Sequence, residues 1–403
     1  MRFRENFLCF LIRSKQIIMR IPKILWVNPS FLDYRIPLYK ELYNLCNGQF
    51  YLVYSKDRVP QRCIDKIEAA IGDNALGLSH EKQIHIGGKG DFANTGVSIP
   101  FPKGLYRLIK SVDADVIISE GFFQFTPWSL MRSIMKHIPL MIAYERTAHT
   151  ERNCPWWRLY YRKIINKFVS GYIANGVLTK EYLISQGVNS NKIFTGGMCA
   201  DSTQLALDCA AYKNTVELKQ ELNLVHDGYV YVYVGQLIER KGVNYLLKAW
   251  ERHHLQYPND SLLIVGDGPL REEYIAQYGA KNNVVFTGAI DYSEIYKYYA
   301  ISDVFVIPTL EDNWSLVVPE AMACGLPIAC SIYNGCYPEL VQEGRNGALF
   351  DPLKEDTIVR ALSVFHSVDL KKYGDESRAI EKQFNPQQTA QNIYSAVMEI
   401  LKR

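Results

Sequence analysis

The sequence lacks several features that mark common protein classes. Its 9 cysteines include no C-x-x-C pair, and the even spacing of Cys324, Cys330 and Cys336 fits no metal-site template. We therefore expect the buried, reduced thiols of a cytosolic protein. No apolar run approaches the length of a membrane-spanning helix. The net charge of only +3 gives no indication of a nucleic-acid partner or of an acidic tail.

The N-terminal residues combine basic side chains with a short apolar run. This run is too short for a signal peptide and lacks a small-residue cleavage site, so we interpret residues 1–20 as an extension of unknown role. Met19 would be an equally natural start, because the first predicted strand follows at once.

The chain alternates short apolar runs with longer amphipathic ones. With 403 residues, 48% of them hydrophobic, it is long enough for two domains with separate cores. Alternating strands and helices are typical of a parallel sheet covered on both faces. The alternation lapses near residues 201–212 and then restarts, which predicts two doubly wound domains. The predicted strands are 24–27, 50–54, 83–86, 116–119, 140–143, 172–174 and 193–195, then 229–234, 262–265, 284–286, 304–307, 328–329 and 348–350.

Candidate functional side chains are most concentrated in residues 308–327, where the pattern predicts a strand end, a loop and a helix. The helix should start near Leu316, because Pro319 is tolerated only in a first turn, and Ser315 or Asn313 is expected to cap it. A helix start beyond a strand end directs free N–H groups at a ligand, which suits a phosphate or diphosphate.

Two carboxylates flank this predicted anion site, Asp312 in the loop and Glu320 in the helix. Carboxylates do not bind phosphate, so we expect both to accept hydrogen bonds from ribose or hexose hydroxyls. The alternative is that Asp312 is an ordinary loop acid and Glu320 a solvated helix residue, neither of which binds a ligand. This stretch by itself does not decide between the two interpretations.

Three other strand ends carry glycines or cations. The first has Gly235 and Gln236 followed by Arg240 and Lys241, cations of the kind that pair with a diphosphate; a solvated basic turn is the alternative. The other two are the stretches 266–269 and 285–288. The former contains Gly266 and Gly268 but lacks the third glycine and downstream acid of a dinucleotide fingerprint.

In order and spacing, these segments resemble the retaining glycosyltransferases of family 4, which have the GT-B fold. The resemblance covers nearly all of the second half of the chain. It implies an α/β protein with two Rossmann-like doubly wound domains that face each other across a cleft. We expect an extension (1–20), an acceptor-side domain (21–205), a nucleotide-sugar domain (206–384) and a C-terminal helix (385–403) that crosses back to the first domain.

The resemblance also implies residue roles. Lys241 would hold the diphosphate, Glu320 the ribose hydroxyls and Asp312 the transferred sugar. No metal and no cofactor is expected, since the nucleoside diphosphate sugar is itself the substrate. The predicted donor-binding residues are Gly235, Gln236, Arg240, Lys241, Gly266, Gly268, Glu311, Asn313, Trp314, Ser315, Leu316 and Glu320; the predicted catalytic residues are Asp312, Glu320, Lys241 and His149.

Two positions depart from the family pattern. The first acid is usually Glu, whereas Asp312 stands there with Glu311 just before it, so either side chain is a candidate for that role. The family commonly has Arg where Gln236 stands, which leaves one diphosphate charge to Arg240 or less well paired.

The first half resembles the family more loosely. Arg35 and Glu145 are expected on the acceptor side, and His149 is expected to contact the sugar or the acceptor hydroxyl, a surface histidine being the alternative. Asp113-Ala114-Asp115 has the form of a metal-binding D-x-D motif. However, it precedes a strand, and the fold that uses this motif has one domain with a different strand pattern.

A basic and aromatic cluster spans residues 152–167, with Trp156, Trp157, Tyr160, Tyr161 and five Arg or Lys. Such a stretch is able to lie on an anionic membrane face, which would favour a lipid-linked acceptor. A core-packed helix with a solvated basic face is the alternative.

The sequence thus predicts an enzyme, a hexosyltransferase that retains anomeric configuration. It would move a sugar from a nucleoside diphosphate sugar to a glycan or lipid-linked saccharide in surface polysaccharide biosynthesis, in the cytoplasm or peripherally on the inner membrane face. A non-catalytic GT-B subunit remains open, as does a nucleotide-sugar epimerase, whose acid/base pairs the sequence does not reveal, or a phosphorylase, whose cofactor lysine is not evident. The nucleobase, sugar, acceptor, linkage and oligomeric state are not indicated by any motif.

Overall fold

The structure is a computed structural model that describes residues 20–88, 90–94, 96–224, 227–279 and 281–403. All of the predicted N-terminal extension except Arg20 lies outside the described residues. Two separate parallel sheets, each with helices around it, form the framework of the described chain. They correspond to the two doubly wound domains expected from the sequence.

The first sheet has the strand order β3-β2-β1-β6-β7-β8-β9, with every neighbouring pair parallel. Strands β4 and β5 form a separate antiparallel hairpin. The strands are β1 (Ile24–Val27), β2 (Phe50–Ser55), β3 (Ala75–Leu78), β4 (Lys82–Gly87), β5 (Gly96–Phe101), β6 (Val116–Glu120), β7 (Leu140–Tyr144), β8 (Gly171–Ala174) and β9 (Ile193–Phe194).

The second sheet has the order β12-β11-β10-β13-β14-β15 and is also parallel. Its strands are β10 (Val230–Val234), β11 (Ser261–Val265), β12 (Val284–Gly288), β13 (Val304–Ile307), β14 (Ile328–Ser331) and β15 (Gly347–Phe350).

Helices occupy most of the connections between strands. They are α1 (Ile36–Leu45), α2 (Gln61–Ile71), α3 (Leu105–Ser111), α4 (Thr126–Lys136), α5 (Trp156–Ile165), α6 (Val177–Ser185), α7 (Thr203–Ala211), α8 (Thr215–Glu221), α9 (Val243–Gln256), α10 (Arg271–Tyr278), α11 (Ile295–Ala300), α12 (Val317–Ala323), α13 (Tyr337–Leu340), α14 (Glu355–Val364), α15 (Leu370–Glu381) and α16 (Pro386–Lys402).

Each sheet is buried on both faces, which explains why the strands are continuous apolar runs. Successive side chains of a strand point to opposite faces. Along β1, Ile24 and Trp26 therefore enter one core, whereas Leu25 and Val27 enter the other. The second domain repeats this arrangement along β10, with Val232 in one core and Tyr233 in the other.

The last helix, α16, packs on the first domain. Asn385 caps its start by accepting a hydrogen bond from the Gln388 N–H at 2.7 Å. Ala390, Ile393 and Val397 are buried in the core that also contains residues of α1. The last helix therefore completes a core of the first domain. The predicted domain boundaries stay predictions.

Both sheets reverse their direction of winding at one point, between β1 and β6 and between β10 and β13. In open α/β sheets, ligands bind in the crevice beyond the strand ends at such a switch point. The loops after these four strands are therefore the places to look for a site.

Several details differ from the sequence predictions. Residues 83–86 lie in the β4–β5 hairpin rather than in the parallel sheet, and β3 and β5 were not predicted because their sequences ALGL and GVSIPF contain turn-forming residues. Residues 201–212, where the pattern lapses, contain α7. Helix α12 starts at Val317 after Leu316, and no side chain caps it, so the predicted cap at Ser315 or Asn313 is wrong.

Candidate functional site

An ion pair stands at the switch point of the second sheet. Lys241, in the turn after β10, donates from Nζ to Asp312 Oδ2 at 2.6 Å, and Asp312 follows β13. Both side chains are largely buried. Although burial raises the pKa of Asp312, the charge and hydrogen bond of Lys241 hold that pKa below its usual value. The predicted phosphate-binding lysine and sugar-binding acid are therefore in direct contact.

Arg240 supports the same loop. Its Nη1 donates to the Glu311 carbonyl oxygen at 2.8 Å and lies 3.9 Å from Asp312 Oδ2. Two cations thus share one carboxylate, which leaves positive charge in the loop beyond β10. An anion such as a diphosphate would offset that charge.

Glu320 lies inside the second domain at the start of α12. Its carboxyl accepts hydrogen bonds from the Tyr292 hydroxyl at 3.2 Å and from the Tyr299 hydroxyl at 3.4 Å. Burial raises the pKa of Glu320 to about 7, although the two tyrosine hydrogen bonds lower it. The carboxyl thus titrates near neutral pH and is surrounded by hydroxyl donors, as a ribose-binding acid would be.

Glu311 points away from Asp312 and toward the first domain. Its Oε1 accepts from the Ala93 N–H at 2.6 Å, and its Oε2 pairs with Arg152 Nη1 at 2.6 Å. A carboxylate held by these two first-domain donors is poorly placed to replace Asp312. In the structure, Glu311 links the domains.

Two further predicted residues also join the domains. His149 Nε2 lies 2.8 Å from the Leu310 carbonyl oxygen, and its ring stacks on Tyr333 at 4.1 Å. Burial lowers the pKa of His149, which favours the neutral ring. Asn313 Nδ2 donates to Glu145 Oε1 at 3.2 Å, so Glu145 meets the donor-side loop.

The glycines after β10 and β11 are needed for backbone packing. A Cβ on Gly266 would lie 1.9 Å from the Gly235 carbonyl oxygen, and one on Gly268 would lie 2.5 Å from the Leu237 carbonyl oxygen. The two strand exits therefore touch each other. Gln236 is exposed between them, and its carbonyl oxygen accepts from the Tyr233 hydroxyl at 2.9 Å.

Trp314, Ser315 and Leu316 form the loop into α12. The Trp314 side chain is buried near Phe384, with 6.2 Å between the ring centroids. The backbone N–H of Trp314 donates to Asp312 Oδ1 at 3.1 Å. The Ser315 N–H lies 3.4 Å from Asn334 Oδ1. The backbone N–H groups of Trp314 and Ser315 thus hold the loop in place.

Arg35 is buried at the switch point of the first sheet. Its guanidinium donates to the Gly197 carbonyl oxygen at 3.2 Å and to Glu120 Oε1 at 3.3 Å. The side chain is 4% exposed, so it acts on the cleft by holding Glu120. Glu120 in turn lines a cavity of about 730 Å³ above this sheet, together with Glu145.

Sequence reasoning missed several residues of the cleft. Arg152 reaches it from the basic and aromatic cluster, and Tyr292, Asn334 and Glu120 likewise were not predicted as site residues. Only Glu120 had a usable signal, because it ends a predicted strand beside the switch point.

One group in the described residues has the composition of a metal site, His253, Asp260 and His366. Both His Nε2 atoms lie within 2.8 Å of Asp260 Oδ2, and Asp260 Oδ1 accepts from the Tyr229 N–H at 3.0 Å. Since Asp260 precedes β11, the group lies at the opposite end of the sheet from the cleft. Hydrogen bonding accounts for its geometry.

No helix in the described ranges is long and apolar enough to cross a membrane.

The chain is similar to proteins that transfer sugars. Residues 214–377 match the family model of the glycosyl transferases group 1. An uncharacterised glycosyltransferase of Methanocaldococcus jannaschii is 26% identical over 202 residues, which are 48% of this chain and 51% of the relative. The alpha-monoglucosyldiacylglycerol synthase of Acholeplasma laidlawii is 25% identical over 214 residues, 52% of this chain and 49% of the synthase. The chain thus spans about half the length of these curated relatives.

Among solved structures, HepE from Anabaena in complex with UDP covers 94% of this chain and 100% of its own, with a TM-score of 0.71 at 17% identity. The chain has the GT-B fold, and the predicted α/β fold class of two facing Rossmann-like domains is confirmed. The match to the glycosyl transferases group 1 lies in its second domain. The assignment to the retaining family 4 stays a prediction.

Proposed function

We propose that the protein is a retaining glycosyltransferase that moves a sugar from a nucleoside diphosphate sugar to a glycan or lipid-linked saccharide. The observation that carries this proposal is the contact of Lys241 with Asp312 at the switch point, within the segment that matches the group 1 glycosyl transferases. A cation and a carboxylate in contact there suit a ligand that carries both phosphate and hydroxyl groups.

The chemistry requires a diphosphate to leave. When the donor binds, Lys241 would turn from Asp312 to the leaving phosphate, with Arg240 close by, and stabilise the developing charge. Asp312, released from the lysine, would accept hydrogen bonds from the transferred sugar, and Glu320 would accept them from the ribose. Transfer on one face of the sugar, with the departing phosphate oxygen taking the acceptor proton, retains the anomeric configuration. No metal is required in this scheme.

Nucleotide binding tests the donor site directly. UDP, GDP and ADP should be titrated calorimetrically, without metal, into the wild type and Lys241→Ala. We expect one nucleotide to bind and the substitution to weaken it by at least about ten-fold, the loss of one charge-assisted contact. Lys248→Ala, an exposed lysine of α9, is the matched control and should bind like the wild type. Binding of no nucleotide would instead favour a non-catalytic subunit.

We also propose a peripheral contact with an anionic membrane surface, which would bring the enzyme to a lipid-linked acceptor. Four large apolar or aromatic side chains recur every four residues along α5 and just beyond it, and all are exposed. Lys163 and Lys167 are exposed on the same segment, and the named product of the Acholeplasma laidlawii relative is a glucosylated diacylglycerol. The four side chains are Trp156, Tyr160, Ile164 and Phe168.

Co-sedimentation with vesicles of anionic phospholipid tests this contact. The double substitution Trp156→Ser and Tyr160→Ser should release the protein from the vesicles. Leu255→Ser removes an equally exposed apolar side chain on α9 of the second domain and should have no effect. Equal binding of the wild type and the double variant would contradict the proposal.

A further inference from the structure

The cavity of the first domain has an aromatic wall and a cluster of arginines. It lies beyond β1, β6 and β7, at the switch point of the first sheet, and its volume is about 730 Å³. Stacked and edge-on contacts hold its aromatic rings, with Phe123 stacked on Tyr161 at 4.8 Å. Aromatic faces and arginine planes suit a sugar ring that carries a charged group. Its aromatic lining residues are Phe122, Phe123, Trp128, Tyr144, Trp157 and Tyr161.

Positive charge is in excess in this cavity. Arg162 Nη1 pairs with Glu151 Oε2 at 2.7 Å, and Arg146 Nε lies 3.7 Å from Glu151 Oε1. Among the described residues, Arg158 donates to neutral acceptors, the Asn94 side-chain oxygen and the Gly96 carbonyl oxygen at 2.8 Å. Glu151 therefore pairs with Arg162 and Arg146, whereas Arg158 makes no ion pair with a described residue.

The other lining acids do not remove the excess. Glu120 pairs with Arg35, and Glu145 accepts from the Asn313 amide. Since Arg35 is not a lining residue and already neutralises Glu120, the three lining arginines face two other glutamates, Glu145 and Glu151. Burial is the main cause that lowers the pKa of Arg158; the charges of Cys154 and Glu151 raise this pKa, and those of Arg162 and Arg146 lower it.

Buried donors also remain unused beside these arginines. Among the described residues, none accepts a hydrogen bond from Tyr144 Oη, Arg158 Nε or Arg162 Nε. Tyr144 and Arg162 are each only 5% exposed, and the Arg162 guanidinium carbon lies 5.8 Å from the centre of the Tyr144 ring. Buried polar groups usually have partners, because an unpaired one costs free energy. A ligand with several acceptor oxygens would accept hydrogen bonds from these three donors.

We propose that this cavity binds a phosphate or diphosphate group carried by the acceptor, with Arg158 and Tyr144 as specificity-determining residues. The inference rests on the proposed transferase function, because an acceptor is expected only in such an enzyme. A phosphate group offers enough oxygens for the unused donors, and its charge offsets the excess of arginine. The sugar next to it would stack on the aromatic wall.

This assignment divides the basic residues of α5 and its flanks into three groups. Arg152 pairs with Glu311 of the second domain, whereas Arg158 and Arg162 face the cavity. Only Lys163 and Lys167 are left on the outer face for an anionic surface. The segment that resembles one basic stripe in the sequence therefore serves three purposes.

Binding of inorganic diphosphate tests the proposal. It should be titrated calorimetrically into Lys241→Ala, in which the predicted donor-phosphate cation is absent, and into the same protein carrying Arg158→Gln, Tyr144→Phe or Lys136→Gln. We expect one diphosphate per chain, a loss of about ten-fold or more with Arg158→Gln and a smaller loss with Tyr144→Phe. Lys136→Gln, at an exposed position of α4, is the control and should cause no change. Absence of binding at millimolar diphosphate would overturn the proposal.

Unchanged binding in both Arg158→Gln and Tyr144→Phe would also overturn it. Tyr144→Phe guards against misfolding, since the hydroxyl it removes has no partner among the described residues; thermal melting of each variant checks the fold. Nucleotide binding by the wild type tests the second domain alone, so failure of the donor site and failure of this cavity are distinguishable.

A second titration, with farnesyl diphosphate below its critical micelle concentration, distinguishes a lipid-linked acceptor from a phosphorylated sugar. A lipid-linked acceptor predicts affinity at least about ten-fold above that of inorganic diphosphate, since each buried methylene adds to binding. The further substitution Trp156→Ser should remove that gain. Equal affinities would assign the site to a phosphorylated sugar without a lipid.

Discussion

The raised pKa of Glu320 predicts that nucleotide binding weakens as the pH falls through 7. Ribose hydroxyls donate hydrogen bonds best to the ionised carboxylate, so binding favours the charged form and must release a proton wherever free Glu320 is neutral. In the protein without ligand, burial raises the pKa of Glu320 to about 7. The carboxylate fraction is therefore about nine-tenths at pH 8 and about one-tenth at pH 6, which predicts roughly ten-fold weaker binding at pH 6.

Calorimetry of the cognate nucleoside diphosphate at pH 6, 7 and 8 measures this effect. Glu320→Gln is the control, because its amide imitates the neutral acid at every pH. It should bind weakly throughout and retain only the pH dependence of the nucleotide phosphates. The ratio of wild-type to variant affinity should fall about ten-fold between pH 8 and pH 6. A ratio that stays constant between these pH values would refute the assignment of Glu320 to the ribose.

Three further predictions concern domain linkage and stability. Arg152→Ala and Glu311→Ala should each raise the radius of gyration in small-angle scattering, because each removes the ion pair that joins the two domains. The double variant should add nothing further, since the pair is already lost in Glu311→Ala. Unchanged radii in all three variants would contradict this. Gly266→Ala should lower the free energy of unfolding by more than about 2 kcal/mol in urea titrations, because its Cβ would overlap the Gly235 carbonyl oxygen. Asp260→Ala should cost about 3 kcal/mol by the same assay, because it leaves buried donors without an acceptor. In both variants, a wild-type midpoint would contradict the prediction.

The proximity of Lys241 and Asp312 could be predicted because it follows from local pattern. Lys241 and Asp312 each lie in the loop that follows a strand, and strands adjacent to a switch point bring their following loops together. Their contact at 2.6 Å is therefore a consequence of the strand order. The position of Pro319 likewise placed the start of α12 within one residue of its observed position.

The contacts between the domains could not be predicted in this way. Glu311 looked like a substitute for Asp312, but it pairs with Arg152 across 159 positions of sequence. No local periodicity reports such a pairing. Similarly, Arg158 and Arg162 have the spacing of a surface stripe, and only the packing of α5 against the first sheet turns them inward.

The central claim of sugar transfer is tested most directly by following a nucleoside diphosphate sugar with the purified protein. Proton NMR should record both the release of the nucleoside diphosphate and the anomeric configuration of the product. The account predicts turnover that Lys241→Ala abolishes and a product with the configuration of the donor. A product of inverted configuration would contradict the retaining mechanism, and absence of turnover with every donor whose nucleotide binds would contradict the enzymatic function itself.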